Sequence, residues 1–229
     1  ALRGSGVRVV EDAACALGTV CDDGAWAGTI GDAGCFSFHP RKIVTTGEGG
    51  AVTTAEAALD ERVRVLRNHG QDPALGLARF VDVGLNDRMP EMSAALGIGQ
   101  VDALSATLAA RRTLGGAYID GLAGLRSVRV PAGVCAPGNN FQSFVVELAD
   151  PARRDAWMAA LADAGVQTTI GTYALAAQPT FQGAGVQSAS TPNAMRAMAS
   201  LVTLPLHGGM TSADVGRVVD TIRRMDQRW

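Results

Sequence analysis

A chain of 229 residues with 47% hydrophobic and 18% charged side chains has enough material for one large or two small packed domains, and its composition carries no signature of disorder. A net charge of −2, with arginines scattered or in short pairs, excludes the basic footprint of a nucleic-acid binder. Four cysteines without a C-x-x-C pair and three widely separated histidines argue against a zinc site, no apolar run is long enough for a membrane span, and the reading is a cytoplasmic protein with reduced thiols and no metal.

In chain order, Val7 to Val10 is a short β-branched run that ends in Glu11-Asp12-Ala13-Ala14, the pattern of a strand delivering a carboxylate at its carboxyl end. Residues Gly18 to Gly34 are glycine-rich without helical period and read as loop with at most a short strand. The alternating, aromatic C-F-S-F at Cys35 to Phe38 predicts a second strand of the same sheet. The glycines of T-T-G-E-G-G then lead into a further strand, A-V-T-T, before a helix over Ala55 to Asn68 with Gly70 as its C-cap. From Gln71 to Val83 no element stands out.

A long helical pattern runs from near Asp87 to about Gly115, with Asn86 or Asp87 as cap and Pro90 in the first turn. Met89, Met92, Leu96, Val101, Leu104 and Leu108 form much of its apolar stripe, and a second helix follows over Ala117 to Leu125. Beyond it the pattern alternates. Strands are expected at Phe141 to Leu148 and Val166 to Tyr173, a helix capped by Asp150 up to Ala164, and a helix over Pro192 to Ser200. An extended run follows at Leu201 to Leu206. Thr211-Ser212-Ala213-Asp214 is a capping-box start for the last helix. The boundary falls near Arg112, giving a domain of residues 1–112 and a small α+β domain of 113–229.

Lys42 is the only lysine; every other cationic side chain except histidine is arginine. Arginine replaces lysine on a surface but cannot condense with an aldehyde, whereas a lysine that loses its proton can act as a Schiff-base nucleophile. A single surface lysine spared by chance is the plain alternative. The neighbours favour chemistry, since a strand-end carboxylate (Asp12), a hydroxyl (Ser37) and the amine of Lys42 are expected in one region. Pyridoxal phosphate chemistry needs that set: an amine to hold the cofactor, a carboxylate to keep the pyridine nitrogen protonated, and hydroxyls for the phosphate. Carbinolamine aldolase chemistry uses a lysine as well.

Four blocks occur in order: E-D-A-A-C-A-L-G (11–18), G-D-A-G-C-F-S-F-H-P-R-K-I-V-T-T-G-E-G-G (31–50), R-N-H-G (67–70) and N-D-R-M-P-E-M-S-A-A-L-G (86–97). Together they closely resemble the DegT/DnrJ/EryC1/StrS family of sugar-nucleotide aminotransferases, strongly to about residue 112 and more loosely through V-Q-T-T-I-G-T-Y and L-P-L-H-G-G-M-T. The resemblance implies an α/β protein of the pyridoxal-phosphate-dependent transferase fold type I, like aspartate aminotransferase. Residues 1–112 would be the C-terminal part of the cofactor-binding large domain with the start of the linking helix, and 113–229 the small domain.

By the same resemblance Lys42 matches the lysine that forms the Schiff base with pyridoxal 5'-phosphate and then moves the proton between cofactor and substrate carbon. Asp12 matches the carboxylate facing the pyridine nitrogen, Ala14 the small residue against the ring, and Ser37 a phosphate-binding hydroxyl. Asn86 matches an asparagine that reaches the cofactor phosphate of a neighbouring subunit, which implies a homodimer with shared active sites. Asn86 is also a good N-cap in its own right. His39 belongs to the motif, either touching ligand or supporting its loop. Cys15 stands where relatives often carry glutamine or histidine, near the cofactor's phenolic oxygen, and a thiol is a weaker hydrogen-bond partner than an amide.

The implied reaction moves an amino group, with glutamate as donor, to a keto carbon of a nucleotide-linked deoxysugar. Alternatives are a relative acting on a cyclitol or other ketone, and a catalytically silent regulatory or interaction protein on the same fold. Dehydrating relatives carry histidine in place of the lysine, so Lys42 argues against them. The chain also starts at the strand carrying Asp12, where the family has a large part of its N-terminal domain before that point. The expectation is a segment that lacks that part.

Overall fold

The computed structural model describes residues 5–75, 79–182 and 190–227. The chain divides into two compact units, Ala1–Thr107 and Leu108–Trp229.

The first unit is built on a three-stranded sheet in the order β1-β2-β3. Strands β1 (Val10–Asp12) and β2 (Ala33–Ser37) are parallel, with Asp12 opposite Cys35; β3 (Gly50–Thr53) runs antiparallel to β2. The first strand starts three residues later than Val7 and runs through Glu11 and Asp12. The long connection from β1 to β2 has no helix to fold it back. Glu11 does that work: its carboxylate accepts N–H bonds from Gly28, Ile30 and Gly31 at 2.8, 2.6 and 2.7 Å. Gly34 lets the same segment lie close on β2, because a Cβ there would stand 2.1 Å from the Gly28 carbonyl oxygen.

Helix α1 (Ala57–Leu66) ends at Arg67 rather than at Gly70. The chain then turns through left-handed His69 (φ 60°) and Gly70 (φ 78°), and the Gly70 N–H donates back to the Val65 carbonyl. The expected long helix is two helices, α2 (Glu91–Asp102) and α3 (Leu104–Leu122), parted at Ala103. Neither Asn86 nor Asp87 caps α2. Pro90 occupies the N-cap in extended conformation, Asn86 forms a bridge with Asn68, and the Asp87 N–H is bonded to the Arg67 carbonyl. The residues before the proline are thus drawn into strand-like pairing with the end of α1. Of the expected stripe Met92, Leu96 and Val101 are exposed, and Gly97 is the one buried residue of α2.

The second unit carries a four-stranded antiparallel sheet in the order β4-β5-β7-β6. Its strands are β4 (Val128–Arg129), β5 (Phe144–Leu148), β6 (Thr169–Ile170) and β7 (Leu201–Leu204). The helices are α4 (Arg154–Asp163), α5 (Pro179–Gln182), α6 (Pro192–Ser200) and α7 (Ser212–Asp226). Tyr118 and Leu122 of α3, Phe144 and Val146 of β5, Trp157 and Leu161 of α4, and Val215 and Ile222 of α7 meet in one core. Asp150 caps a 3₁₀ turn that leads into α4, and Thr211 and Asp214 form the capping box of α7. The strand expected over Val166 to Tyr173 shrinks to two residues.

Buried Arg111 organises the loop before β5. Its guanidinium donates to the carbonyls of Phe141, Gln142 and Leu206, at 2.6 to 3.2 Å, and Phe141 sits at φ 50°. No carboxylate partners it among the described residues, and burial lowers its pKa from the usual arginine value.

Candidate active site

Two parallel strands end side by side, and their carboxyl ends carry Asp12 and Ser37. That edge is where open α/β sheets bind ligands. The exposed Asp12 carboxylate accepts the Ala14 N–H at 3.1 Å, and the Ala16 N–H donates to the Ala13 carbonyl. These two bonds coil residues 12–16 into a tight turn that presents Ala14 and Cys15. Among the described residues Asp12 has no cationic partner.

The β2–β3 connection carries Lys42. At its base the Phe38 N–H donates to the Gly49 carbonyl, while the Phe38 carbonyl accepts the Thr46 N–H and the Thr45 hydroxyl. Above that, the Lys42 N–H closes a turn on the His39 carbonyl at 2.9 Å. The His39 ring supports the same turn, since Nδ1 accepts the Arg41 N–H at 3.2 Å, and the His39 backbone N–H donates to Ser37 Oγ at 3.3 Å. Val44 and Thr46 are buried, which anchors the loop and leaves Lys42 half-buried. The Lys42 amine donates to Cys15 Sγ at 2.8 Å. Among the described residues no carboxylate pairs with it.

The structure therefore brings the turn at Asp12, Ala14 and Cys15 against the loop of Ser37, His39 and Lys42. Asn86 is not bonded into this group. It is exposed, and its Oδ1 accepts from Arg88 Nε at 3.1 Å. Two supporting residues escaped the sequence reading. Glu11 fixes β1 from below, and its pKa is lowered chiefly by the Gly31 N–H, against some loss of solvation, with help from Gly28 and Ile30. Gln100 of α2 bonds the backbone of Thr45. Glu11 opens the first quoted block, but its role as a latch was not visible there, and Gln100 lies outside every block; the partners of both are backbone groups far away in sequence. Among the described residues no cluster of three or more histidine, cysteine or acidic side chains could hold a metal ion. The described helices include none long and apolar enough to cross a membrane.

A lysine amine and a strand-end carboxylate with no cationic partner among the described residues thus lie at one end of the sheet. The chain belongs to the DegT/DnrJ/EryC1/StrS aminotransferase family, whose pattern it matches over residues 2–223. It is 32% identical over 220 residues to GDP-perosamine synthase of Caulobacter vibrioides, covering 95% of this chain and 58% of that protein. It is 31% identical over 225 residues to dTDP-3-amino-3,4,6-trideoxy-alpha-D-glucose transaminase of Micromonospora megalomicea subsp. nigra, covering 96% and 59%. Among solved structures, DesI with its TDP-sugar product superposes with a TM-score of 0.86 at 34% identity, over 99% of this chain and 57% of DesI. The fold is thus that of the pyridoxal-phosphate-dependent sugar aminotransferases. The chain spans less than two thirds of the length of these relatives.

Proposed function

We propose that this protein is a pyridoxal-phosphate-dependent aminotransferase that moves an amino group, with glutamate as donor, to a keto carbon of a nucleotide-linked deoxysugar. The observation that carries the reading is the placement of the chain's one lysine amine against the turn that follows Asp12. The donor set fits the cofactor. Among the described residues Asp12 has no competing cation and Lys42 no competing carboxylate, and Ser37 Oγ accepts from the His39 backbone N–H, which leaves its own O–H to donate to a phosphate. When bound, pyridoxal phosphate supplies an aldehyde carbon for an amine and a ring that takes up electrons from the substrate carbon.

In this reading Lys42 Nζ would hold the cofactor and would carry a proton to and from the substrate carbon. Asp12 holds the proton on the pyridine nitrogen. Ser37 binds the phosphate, Ala14 leaves room for the ring face, and His39 keeps the Lys42 turn in shape. Cys15 faces the reacting amine and tunes it through a weak thiol contact. Asn86, free of the Lys42 group, serves the cofactor phosphate of a second copy in a homodimer. The first unit would then be the C-terminal part of the cofactor-binding domain and the second the small domain.

The names of the relatives support a nucleotide sugar as acceptor. The four cysteines, none of them in a disulfide, support a reducing, cytoplasmic setting. Turnover of glutamate with nucleotide-linked keto-sugars tests the proposal. Wild-type protein forms amino sugar, and Lys42→Ala loses at least about 10³-fold in rate, the scale at which a nucleophile and proton carrier act. A Lys42→Ala protein working at the wild-type rate would sink it.

A further inference from the structure

We infer that Gln100 is the positioning residue for Lys42, a role that rests on Lys42 being the reactive amine. Its side-chain amide clasps one residue of the loop through both of its backbone groups: Oε1 accepts the Thr45 N–H at 3.0 Å, and Nε2 donates to the Thr45 carbonyl at 2.7 Å. The second Nε2 proton goes to the Leu96 carbonyl at 2.8 Å, one turn back in α2. Every polar atom of the amide is thereby assigned, and its orientation is fixed. Thr45 lies three residues after Lys42.

Met92, Leu96, Ile98 and Val101 of α2 are exposed, so its apolar stripe does not seat it in the unit. What faces the loop is Gly97, where a Cβ would come within 3.0 Å of the Thr46 methyl, and Gln100 one turn later. The glycine permits the approach and the glutamine fixes its register. Only a group that accepts and donates together can do the latter. Glutamate at this position accepts but turns a charge toward the Thr45 carbonyl, and methionine fills the space while leaving both backbone groups unpaired. Either change frees the loop to move the Lys42 amine away from Cys15.

The test reads that apposition without any cofactor. The reagent o-phthalaldehyde condenses with one amine and one thiol held in contact, releasing two waters and forming a fluorescent isoindole. The full protein should give an isoindole mapping to Cys15 and Lys42. Gln100→Met and Gln100→Glu, each checked for a native circular-dichroism spectrum, should lower its initial rate at least about fivefold. Lys42 reactivity toward formaldehyde and borohydride, which needs only the amine, should stay within about twofold of wild type. A wild-type isoindole rate in both variants overturns the proposal, as does the absence of a Cys15–Lys42 isoindole in the wild-type protein. Glutamate keeps one of the two Thr45 bonds, so it is the gentler variant if methionine disturbs folding. A wild-type isoindole rate in both variants falls on Gln100 alone, absence of the wild-type isoindole falls on the Lys42–Cys15 apposition that the functional reading also uses, and failure to fix pyridoxal phosphate falls on the functional reading.

Discussion

Replacing Glu11 by glutamine probes the latch under the site. The carboxylate accepts three N–H groups, Gly28 on Oε1, Ile30 and Gly31 on Oε2. Glutamine can keep its oxygen on the Ile30 and Gly31 side, but its NH₂ then meets the Gly28 N–H, donor against donor. One bond is lost outright, at about 1–1.5 kcal/mol, and two charge-assisted bonds become neutral ones, at about 0.5 kcal/mol each because the site is partly solvated. The sum is about 2–2.5 kcal/mol. In a chain of this size that lowers Tm by roughly 4–10 °C, read by circular dichroism at pH 7.

The latch also has a pH signature. Glu11's pKa in the folded protein lies below its ordinary value of 4.5. Its stabilisation is therefore complete above that value and disappears as pH falls through the folded one. The gap between wild type and Glu11→Gln should narrow below about pH 4.5, since glutamine does not titrate. A Tm change under about 1 °C at pH 7, or a gap unchanged between pH 7 and pH 3.5, would refute the latch.

Three further substitutions test other parts of the account. Arg111→Met orphans one buried and two part-buried carbonyls at about 1 kcal/mol each and removes a buried charge, whose relief offsets part of the loss; a net destabilisation of about 2 kcal/mol should lower the urea midpoint of the second unit, and an unchanged midpoint contradicts the clamp. Gly34→Ala places a methyl 2.1 Å from the Gly28 oxygen, a clash only backbone movement relieves, and should cost about 3 kcal/mol or more, seen as faster amide exchange in β2; native protection there argues against the close approach. Thr211→Ala removes one half of the α7 capping box and should lower stability by about 1 kcal/mol in the same urea titration, with no loss meaning the cap is idle.

Much of this was legible in the sequence where the cause is local. The aromatic alternation of C-F-S-F gave β2, Pro192 opens α6 at the expected residue, and Thr211 with Asp214 forms the expected box. What was missed depends on distant partners. Nothing at Ala103 breaks a helical pattern, yet the helix parts there, and Asn86 and Asp87 are taken up by pairing with residues 67–68 instead of capping. Apolar residues at helical spacing in α2 announced a helix but not that the spacing would stay uncovered. At the site, the residues bearing chemistry were visible as types in order; Glu11 and Gln100 were not, because each acts on peptide groups 17 to 20 and 55 residues away.

The central claim is that Lys42 is the amine that holds the cofactor. The full protein, saturated with pyridoxal phosphate and reduced with borohydride, should gain one phosphopyridoxyl group by intact mass, and peptide mapping should find it on Lys42. Protein that emerges without the adduct, or carries it at another residue, contradicts the account.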